Sequence, residues 1–171
     1  GDFTDGTING VGTFTELDGS TYTGDWQLGK RHGQGTQTDS TGQTYTGDFK
    51  NDTFNGEGTF VFANSDTYVG SFTAGVKSGE GTLEYANGDK YIGPFIDGMR
   101  SGTGTFTYSN GDQYVGGFKQ NEQYGEGILS YANGDKYVGF FQAGKPNGRG
   151  RLELAASGNV YEGTYKDGLF D

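Results

Sequence analysis

Residues 91–113 read YIGPFIDGMRSGTGTFTYSNGDQ, and residues 114–136 read YVGGFKQNEQYGEGILSYANGDK. Both stretches open with Tyr-x-Gly-x-Phe and continue through Gly-x-Gly into apolar residues at alternate positions. Similar motifs begin every 23 residues, with a last spacing of 24, at Tyr22, Tyr45, Tyr68, Tyr91, Tyr114, Tyr137 and Tyr161. Self-similarity at a fixed period predicts a repeat protein in which small structural units stack along the chain.

The alternation of large and small side chains within each repeat has the period of a β-strand. In the first quoted copy it predicts one strand over Tyr91–Ile96 and a second over Gly102–Tyr108. Asn-Gly pairs at positions 87–88, 110–111 and 133–134 are a strong hairpin signal. The predicted fold class is all-β: a single-layer, curved and twisted antiparallel meander of tandem 23-residue β-hairpins.

The same alternation assigns side chains to the two faces of the predicted sheet. The motif tyrosines, the glycines and the later Phe, Leu and Tyr residues share one face, whereas Thr, Glu, Gln and Lys dominate the other. Glycines between the rings leave room on a crowded face and allow the sheet to bend. We therefore expect an aromatic, concave face.

The composition excludes several classes of protein. Only 30% of the 171 residues are hydrophobic, which is too few for a round apolar core, but 13 Phe and 12 Tyr at regular intervals argue against a disordered chain. The absence of Cys excludes disulfides and thiol nucleophiles. A net charge of -10 predicts repulsion from nucleic acid and from anionic membranes.

The Tyr-x-Gly-x-(Trp/Phe) motif followed by Gly-x-x-x-Gly-x-Gly resembles the membrane occupation and recognition nexus, or MORN, repeat. The resemblance covers essentially the whole chain and predicts one continuous array over residues 1–171. Its approximate units are 1–21, 22–44, 45–67, 68–90, 91–113, 114–136, 137–160 and a partial unit 161–171. Asp52 and Asn121 replace a glycine of the other copies, and we expect altered turns there. Because the chain stops within a repeat, we expect a fragment of a longer array or a homodimer joined through terminal repeats.

The family resemblance implies a non-catalytic scaffold that is cytoplasmic and associated with the cytoskeleton, a cilium or a membrane-contact structure. A row of rings could receive an amphipathic helix or an extended peptide of a protein partner. The alternative is that the rings only pack on one another. The central candidates for partner binding are Phe72, Tyr91, Phe95, Tyr108, Tyr114 and Phe118.

The alternative function is a membrane-associated module that binds phospholipid through basic hairpin turns. Basic groups near an anionic lipid surface add about 1 kcal/mol each to membrane attraction. The overall acidic charge opposes this reading, and such side chains are commonly solvated turn residues. The candidate lipid-facing residues are Lys30, Arg31, Lys77, Arg100 and Lys145.

The sequence predicts no catalytic, metal-binding or cofactor-binding residue. His32 is the single histidine and is expected to be a solvated turn residue. The Gly-x-Gly pairs do not open helices after buried strands, so they do not indicate a phosphate-binding loop. A recurrent Asp two places before the tyrosine offers too few ligands per repeat for calcium and is expected to serve turn formation. These aspartates are Asp66, Asp89, Asp112 and Asp135.

Overall fold

The computed structural model describes residues 2–4 and 6–170, with side chains from residue 6 onward. The chain forms two compact units, Gly1–Ala86 and Asn87–Asp171. Each unit is built of antiparallel strands that pair with their neighbours in chain order. The predicted all-β antiparallel meander is therefore confirmed. Among the described residues, no helix is long and apolar enough to cross a membrane.

The strands of the first unit follow one another at the spacing that the repeat predicts. They are β1 (Asp2–Thr4), β2 (Thr7–Thr15), β3 (Thr21–Gln27), β4 (Lys30–Thr38), β5 (Thr44–Lys50), β6 (Thr53–Val61), β7 (Thr67–Thr73) and β8 (Val76–Glu84). Each tyrosine motif forms the first strand of a hairpin, and each Gly-x-Gly motif lies in the second.

The second unit repeats this arrangement, with one strand interrupted at Ser101. Its strands are β9 (Lys90–Ile96), β10 (Met99–Arg100), β11 (Gly102–Thr107), β12 (Gln113–Lys119), β13 (Glu122–Ser130), β14 (Lys136–Gln142), β15 (Lys145–Glu153), β16 (Val160–Lys166) and β17 (Leu169–Phe170). The bounds of β9 and β11 match the two predicted strands to within one residue.

The turn inside each hairpin has two central residues with positive φ. Asp97 and Gly98 have φ values of 51° and 76°, the pattern of a type I′ turn, whose twist matches that of the strands it joins. Asp52 and Asn121 adopt φ values of 70° and 72° at the position that glycine occupies elsewhere. The expectation of altered turns in these two copies is wrong, because Asp and Asn tolerate this left-handed conformation.

Asp52 and Asn121 also add a contact that glycine does not provide. The Asp52 Oδ1 atom accepts a hydrogen bond from the backbone N–H of Arg31 at 2.8 Å. The Asn121 Oδ1 atom accepts the equivalent bond from Arg100 at 2.9 Å. Each side chain therefore links its own turn to the preceding hairpin of the same unit.

The Asn-Gly turns connect successive hairpins and are wider than type I′ turns. In the turn after β11, Gly111 has a φ of 93°, whereas Asn110 has no positive φ. The backbone N–H of Tyr108 donates to the oxygen of Asp112 at 2.9 Å, which closes the loop. Asn-Gly thus marks the turn correctly, but the loop belongs to the longer class with glycine in the left-handed position.

The recurrent aspartate stabilises these wider turns, as the sequence predicted. The Asp112 N–H donates to Asn110 Oδ1 at 3.0 Å, and Asn110 Nδ2 donates back to Asp112 Oδ2 at 3.0 Å. Asp112 Oδ1 also accepts the backbone N–H of Ala132 in the next repeat at 2.8 Å. An equivalent bond from the Ser109 N–H lowers the pKa of the Asp89 carboxyl.

The motif tyrosines from Tyr22 to Tyr137 each lie across two glycines of their hairpin. A Cβ atom placed on Gly127 would be 2.5 Å from Cε2 of Tyr114, so the ring occupies the space of a missing side chain. The Tyr114 hydroxyl donates to the Gly117 carbonyl oxygen at 3.0 Å. The same bond to the third following residue is made by Tyr22, Tyr45, Tyr68, Tyr91 and Tyr137.

Phenylalanine rings join these tyrosines into a column. The Tyr114 ring contacts Phe118 of its own strand edge-on, with centroids 5.3 Å apart, and Phe141 of the next repeat, with centroids 4.8 Å apart. Edge-to-face pairs of this kind stabilise a fold by about 0.5–1.5 kcal/mol beyond the area they bury. The tyrosine column, defined by the motif tyrosines and their edge-on Phe, Trp or Tyr partners, is therefore the core of each single-layer sheet.

The close fit between ring and glycine predicts that Gly127→Ala destabilises the protein by about 3 kcal/mol, the upper part of the range for overpacking. The new methyl group displaces Tyr114 and weakens its bond to Gly117. The matched control is Gly125→Ala, since a Cβ there meets nothing within 4 Å and introduces only the strain of a φ of 76°. That strain is about 1–2 kcal/mol. Urea unfolding of the two variants measures the difference, and equal losses would contradict the packing role.

Burial raises the pKa of Tyr22, Tyr45 and Tyr68 to about 12, and it does the same for Tyr114 and Tyr137. Between pH 10 and 12 the unfolded chain therefore loses protons that the folded chain keeps. The free energy of unfolding is expected to be unaffected by these groups below pH 10 and to fall as the pH rises through 12. Tyrosinate absorbance and circular dichroism, followed together, should show the buried rings ionising only as the sheet unfolds. Complete ionisation near pH 10 with the sheet signal intact would contradict this prediction.

Candidate interaction surface on the aromatic face

The aromatic face of each unit is the face that carries the motif tyrosines. One position on it lies opposite the last ring of the motif, because the strand register pairs Trp26 with Arg31 and Phe95 with Arg100. We name the residues at this position cap residues. They are Arg31, Phe54, Lys77, Arg100, Gln123, Pro146 and Phe170.

The cap residues of the first unit lie over rings of the tyrosine column. The Arg31 guanidinium carbon is 5.9 Å from the Tyr22 ring centroid and 5.6 Å from that of Phe49. Arg31 Nε is also 3.3 Å from Asp52 Oδ1, and its Nη2 atom donates to the Asp52 carbonyl oxygen at 2.9 Å. The guanidinium is therefore fixed between a turn and two rings.

The next two cap residues cover rings in the same way. Phe54 stacks on Tyr45 with centroids 3.9 Å apart and planes inclined by 14°. Lys77 Nζ lies 5.5 Å from the ring centroids of both Phe62 and Tyr68. A cation at this distance from an aromatic face is attracted by the negative potential of the ring. In the first unit the cap position thus holds either an aromatic ring or a cation.

Arg100 occupies the corresponding place in the second unit and contacts three rings. Its guanidinium carbon is 5.6 Å from the Tyr91 centroid, 5.1 Å from Phe106 and 5.6 Å from Phe118. Its Nη2 atom donates to the Asn121 carbonyl oxygen at 2.6 Å. A half-buried positive charge therefore lies on the aromatic face, directly above rings that the sequence nominated for partner binding.

Five of the six nominated partner-binding residues are core side chains. Tyr91 and Tyr114 are 0% exposed, and Phe95 is 2% exposed. Phe72 and Phe118 are also buried. Only Tyr108 retains an accessible part, since it is half-buried. The five buried rings form the floor of the face, and a direct contact between them and a partner stays a prediction.

Beside the tyrosine column of the second unit runs a second row of large side chains. We name Tyr108, Leu129, Tyr131, Leu152 and Leu154 the edge row, and all five are half-buried. They follow the Gly-x-Gly motif at alternate positions, so they share the face of the tyrosines. The edge row is an accessible apolar part of the aromatic face in this unit.

Tyr108 is held in place within the edge row. Its ring centroid is 4.7 Å from that of Phe106, and its hydroxyl oxygen accepts a hydrogen bond from Gln123 Nε2 at 2.8 Å. Gln123 is a cap residue and is itself buried. Burial raises the pKa of Tyr108 and of Tyr131, so both phenols stay neutral near neutral pH.

The five candidate lipid-facing residues do not share one surface. In the first unit Arg31 and Lys77 lie on the aromatic face, whereas Lys30 precedes Arg31 in the same strand and so points to the opposite face. In the second unit Arg100 lies on the aromatic face, and Lys145 precedes the cap residue Pro146 and takes the opposite side. Phospholipid binding by these residues stays a prediction.

The opposite face departs from expectation in the second unit. Threonine and acidic residues dominate it in residues 6–86, as the sequence predicted. In the second unit, aliphatic side chains occupy positions where the first unit has mostly threonine. These residues are Ile92, Val115, Ile128 and Val138, all of them exposed. The replacement of threonine by aliphatic residues can be found by comparing the copies position by position. The overall polar pattern of the strands does not reveal it.

No group of three or more metal-ligating side chains is arranged around a possible ion site within residues 6–170. His32 lies in β4 and not in a turn. It is half-buried, and its Nδ1 atom has no hydrogen-bond partner. The expectation of a solvated turn histidine is therefore wrong.

The chain is similar to several solved structures and matches one family of known proteins. No curated protein matches the sequence. Two similar solved structures are the TCP domain of Drosophila melanogaster SAS-4 (dCPAP), solved in complex with a proline-rich motif of Ana2 (dSTIL), and the TCP10 domain of Danio rerio CPAP. The first has 18% identity and a TM-score of 0.46, over 91% of this chain and 90% of that chain. The second has 11% identity and a TM-score of 0.35, over 89% and 82%.

The comparison with family models gives the family directly. The model of the MORN repeat matches residues 1–21, 22–44, 45–67, 68–90, 91–113, 114–136, 137–156 and 161–171. These segments begin at the tyrosines whose rings form the column, apart from the first, which precedes Tyr22. The chain belongs to the MORN repeat family.

Proposed function

We propose that the chain is a non-catalytic scaffold that binds a segment of a protein partner along its aromatic face. The observation that carries this proposal is the edge row of the second unit, with Arg100 lying over the neighbouring rings. A sheet with one layer has no second layer to cover such a row. The exposed parts of these side chains are therefore available to an external protein.

The two parts of the aromatic face have different roles in this proposal. The rings of the tyrosine column are buried and form a rigid base for the binding surface. A rigid surface loses less conformational entropy when a partner binds. The edge row supplies apolar contact, and Tyr108 and Tyr131 combine a large ring with a polar hydroxyl group. Arg100 provides a cation beside them, which favours a partner segment that carries a carboxylate.

A helix or an extended peptide could occupy this row. Equivalent edge-row residues, such as Tyr108, Tyr131 and Leu154, come from successive hairpins, whose separation along the sheet is about 9.6 Å for two strands. An amphipathic helix presents apolar side chains at comparable intervals of about two turns, or roughly 11 Å. An amphipathic helix lying across the strands is therefore the favoured ligand.

The wider assignments of the family resemblance belong to the same proposal. They are a cytoplasmic location, an assembly at the cytoskeleton, a cilium or a membrane contact, and a homodimer joined through terminal repeats. Family membership supports the scaffold role in general terms. The alternative of phospholipid binding has less support, because the candidate basic residues are divided between the two faces of each unit.

The double substitution Tyr108→Ser and Tyr131→Ser is expected to reduce partner binding at least about tenfold, since rings in a partly dehydrated contact dominate binding energy. Because both rings are half-buried, the sheet should retain its circular dichroism. A photo-crosslinking residue is placed at Leu154, in the edge row, and the captured protein is identified by mass spectrometry in cells that express the chain. The same experiment with the double substitution gives the change in yield.

The control places the crosslinking residue at Thr46, which is exposed on the opposite face of the first unit. The proposal requires a protein that is captured from Leu154, not from Thr46, and largely lost in the double variant. Capture of the same proteins from both positions, or an unchanged yield in the double variant, would refute it.

A further inference from the structure

The face opposite the tyrosines contains one row in which side chains pair directly across every strand. In the first unit this row is threonine on β2 to β8 except at Val69, which is 50% exposed. The strand register pairs Thr13 with Thr23 and Thr36 with Thr46, and each pair is joined by a hydroxyl hydrogen bond of 3.0 Å. The hydroxyl groups of these paired threonines therefore find hydrogen-bond partners within the row.

In the second unit the same row becomes aliphatic. The register aligns Val115 with Ile128, and Ile128 with Val138. These three side chains are 40%, 36% and 40% exposed. Ile92 occupies the row on β9 and Phe140 lies beside it, and both are exposed as well. We name Ile92, Val115, Ile128 and Val138 the aliphatic row, and Phe140 flanks it.

The fold does not require aliphatic residues at these positions. Threonine serves at every equivalent position of the first unit except Val69, and at Thr105 within the second. A β-branched side chain of either type suits a strand, so propensity does not explain the change. Contiguous exposed apolar side chains on a soluble domain commonly mark a binding surface. The first unit folds with threonine at these positions, so the change to aliphatic residues in the second unit indicates a role in binding.

The shape of the surface agrees with this interpretation. An open depression of about 430 Å³ is lined by Val115, Ile128, Val138 and Phe140, with Glu126 at its side. A second depression of about 380 Å³ shares Val138 and is lined by Arg149, Arg151 and Glu162. The mainly apolar hollow therefore continues directly into one that carries two arginines and one glutamate.

The arginine end of the row differs in charge from the earlier copies. Arg149 stands where three of the six preceding copies carry a glutamate, at Glu57, Glu80 and Glu126, and where no preceding copy carries a basic residue. It is exposed and forms no ion pair within the described part of the chain. Arg151 is partly neutralised by Glu153, and Glu162 lies opposite Arg151 in the register. Arg149 is thus the unpaired cation at this end, in a chain of net charge -10.

We propose that this face of the second unit binds an amphipathic helix of a partner protein. The apolar stripe of the helix lies on the aliphatic row, and acidic side chains at one end contact Arg149 and Arg151. From Ile92 to Arg151 the row crosses six strands, a span of about 24 Å. That span equals the length of roughly 16 helical residues.

This site is separate from the one on the aromatic face. It uses the other side of the sheet, so a scaffold with both sites could hold two partner segments at once. Its charge also selects the partner, because an acidic segment is attracted by Arg149 whereas a basic one is not. The proposal therefore does not depend on binding at the edge row.

The probes are two fluorescein-labelled synthetic helices of about 16 residues, the length expected from the span of the row. Both carry the same leucine stripe, and one ends in three Glu where the other ends in three Lys. The full chain is compared with the triple variant Val115→Thr, Ile128→Thr and Val138→Thr, which restores the residue of the first unit. Fluorescence anisotropy measures Kd, and thermal melting checks that the variant folds.

The acidic helix should bind the chain with a Kd at least about tenfold lower than that of the basic helix or of the triple variant. Arg149→Gln should weaken the acidic helix alone and reduce the salt dependence of its binding. The Tyr108→Ser and Tyr131→Ser double variant should bind it normally, which separates this site from the aromatic face. If the triple variant fails to fold, Arg149→Gln and the pair of helices still decide the question.

Three results would overturn the proposal. The first is no binding of the acidic helix, and the second is equal binding of the acidic and basic helices or no effect of Arg149→Gln. The third is a dimer in analytical ultracentrifugation that the folded triple variant abolishes, since the face would then belong to a second copy of the chain.

Discussion

The structure depends on one recurring contact, in which a tyrosine ring lies flat on two glycines and donates its hydroxyl hydrogen to a carbonyl three residues later. The Tyr114 hydroxyl is satisfied by Gly117, and its ring fills the space above Gly116 and Gly127. A β-carbon on either glycine would lie 2.5 Å from an atom of the Tyr114 side chain, which is closer than van der Waals contact allows. This is why the glycines and the tyrosine repeat together, and why the chain folds with few hydrophobic residues.

The contact confines the core to one face of each unit. A ring from the next repeat, such as Phe141 on Tyr114, completes the enclosure of each tyrosine, so the sheet needs no second layer. The opposite face is consequently free of packing demands. It carries threonine in one unit and aliphatic residues in the other while the strands and turns stay the same. A scaffold built in this way can change its binding surfaces without changing its fold.

Local features of the sequence predicted the fold to near completion. The period-two alternation located β9 and β11 to within one residue, because alternation is a property of the strand itself. The turns were harder, since Asp52 and Asn121 adopt the glycine conformation and use their side chains to bind the neighbouring hairpin. That bond joins residues 21 positions apart and leaves no local signature.

The candidate sites show where sequence reasoning stops. The sequence by itself determined the repeat, the strand pairs and the face to which each side chain belongs, since all of these follow from spacing along one chain. Only the tertiary structure decided that Tyr91 and Phe118 are buried core residues, that Arg100 covers them, and that Tyr108 stays accessible. Exposure depends on which ring of an adjacent hairpin closes over a side chain, and that contact is set by packing between strands.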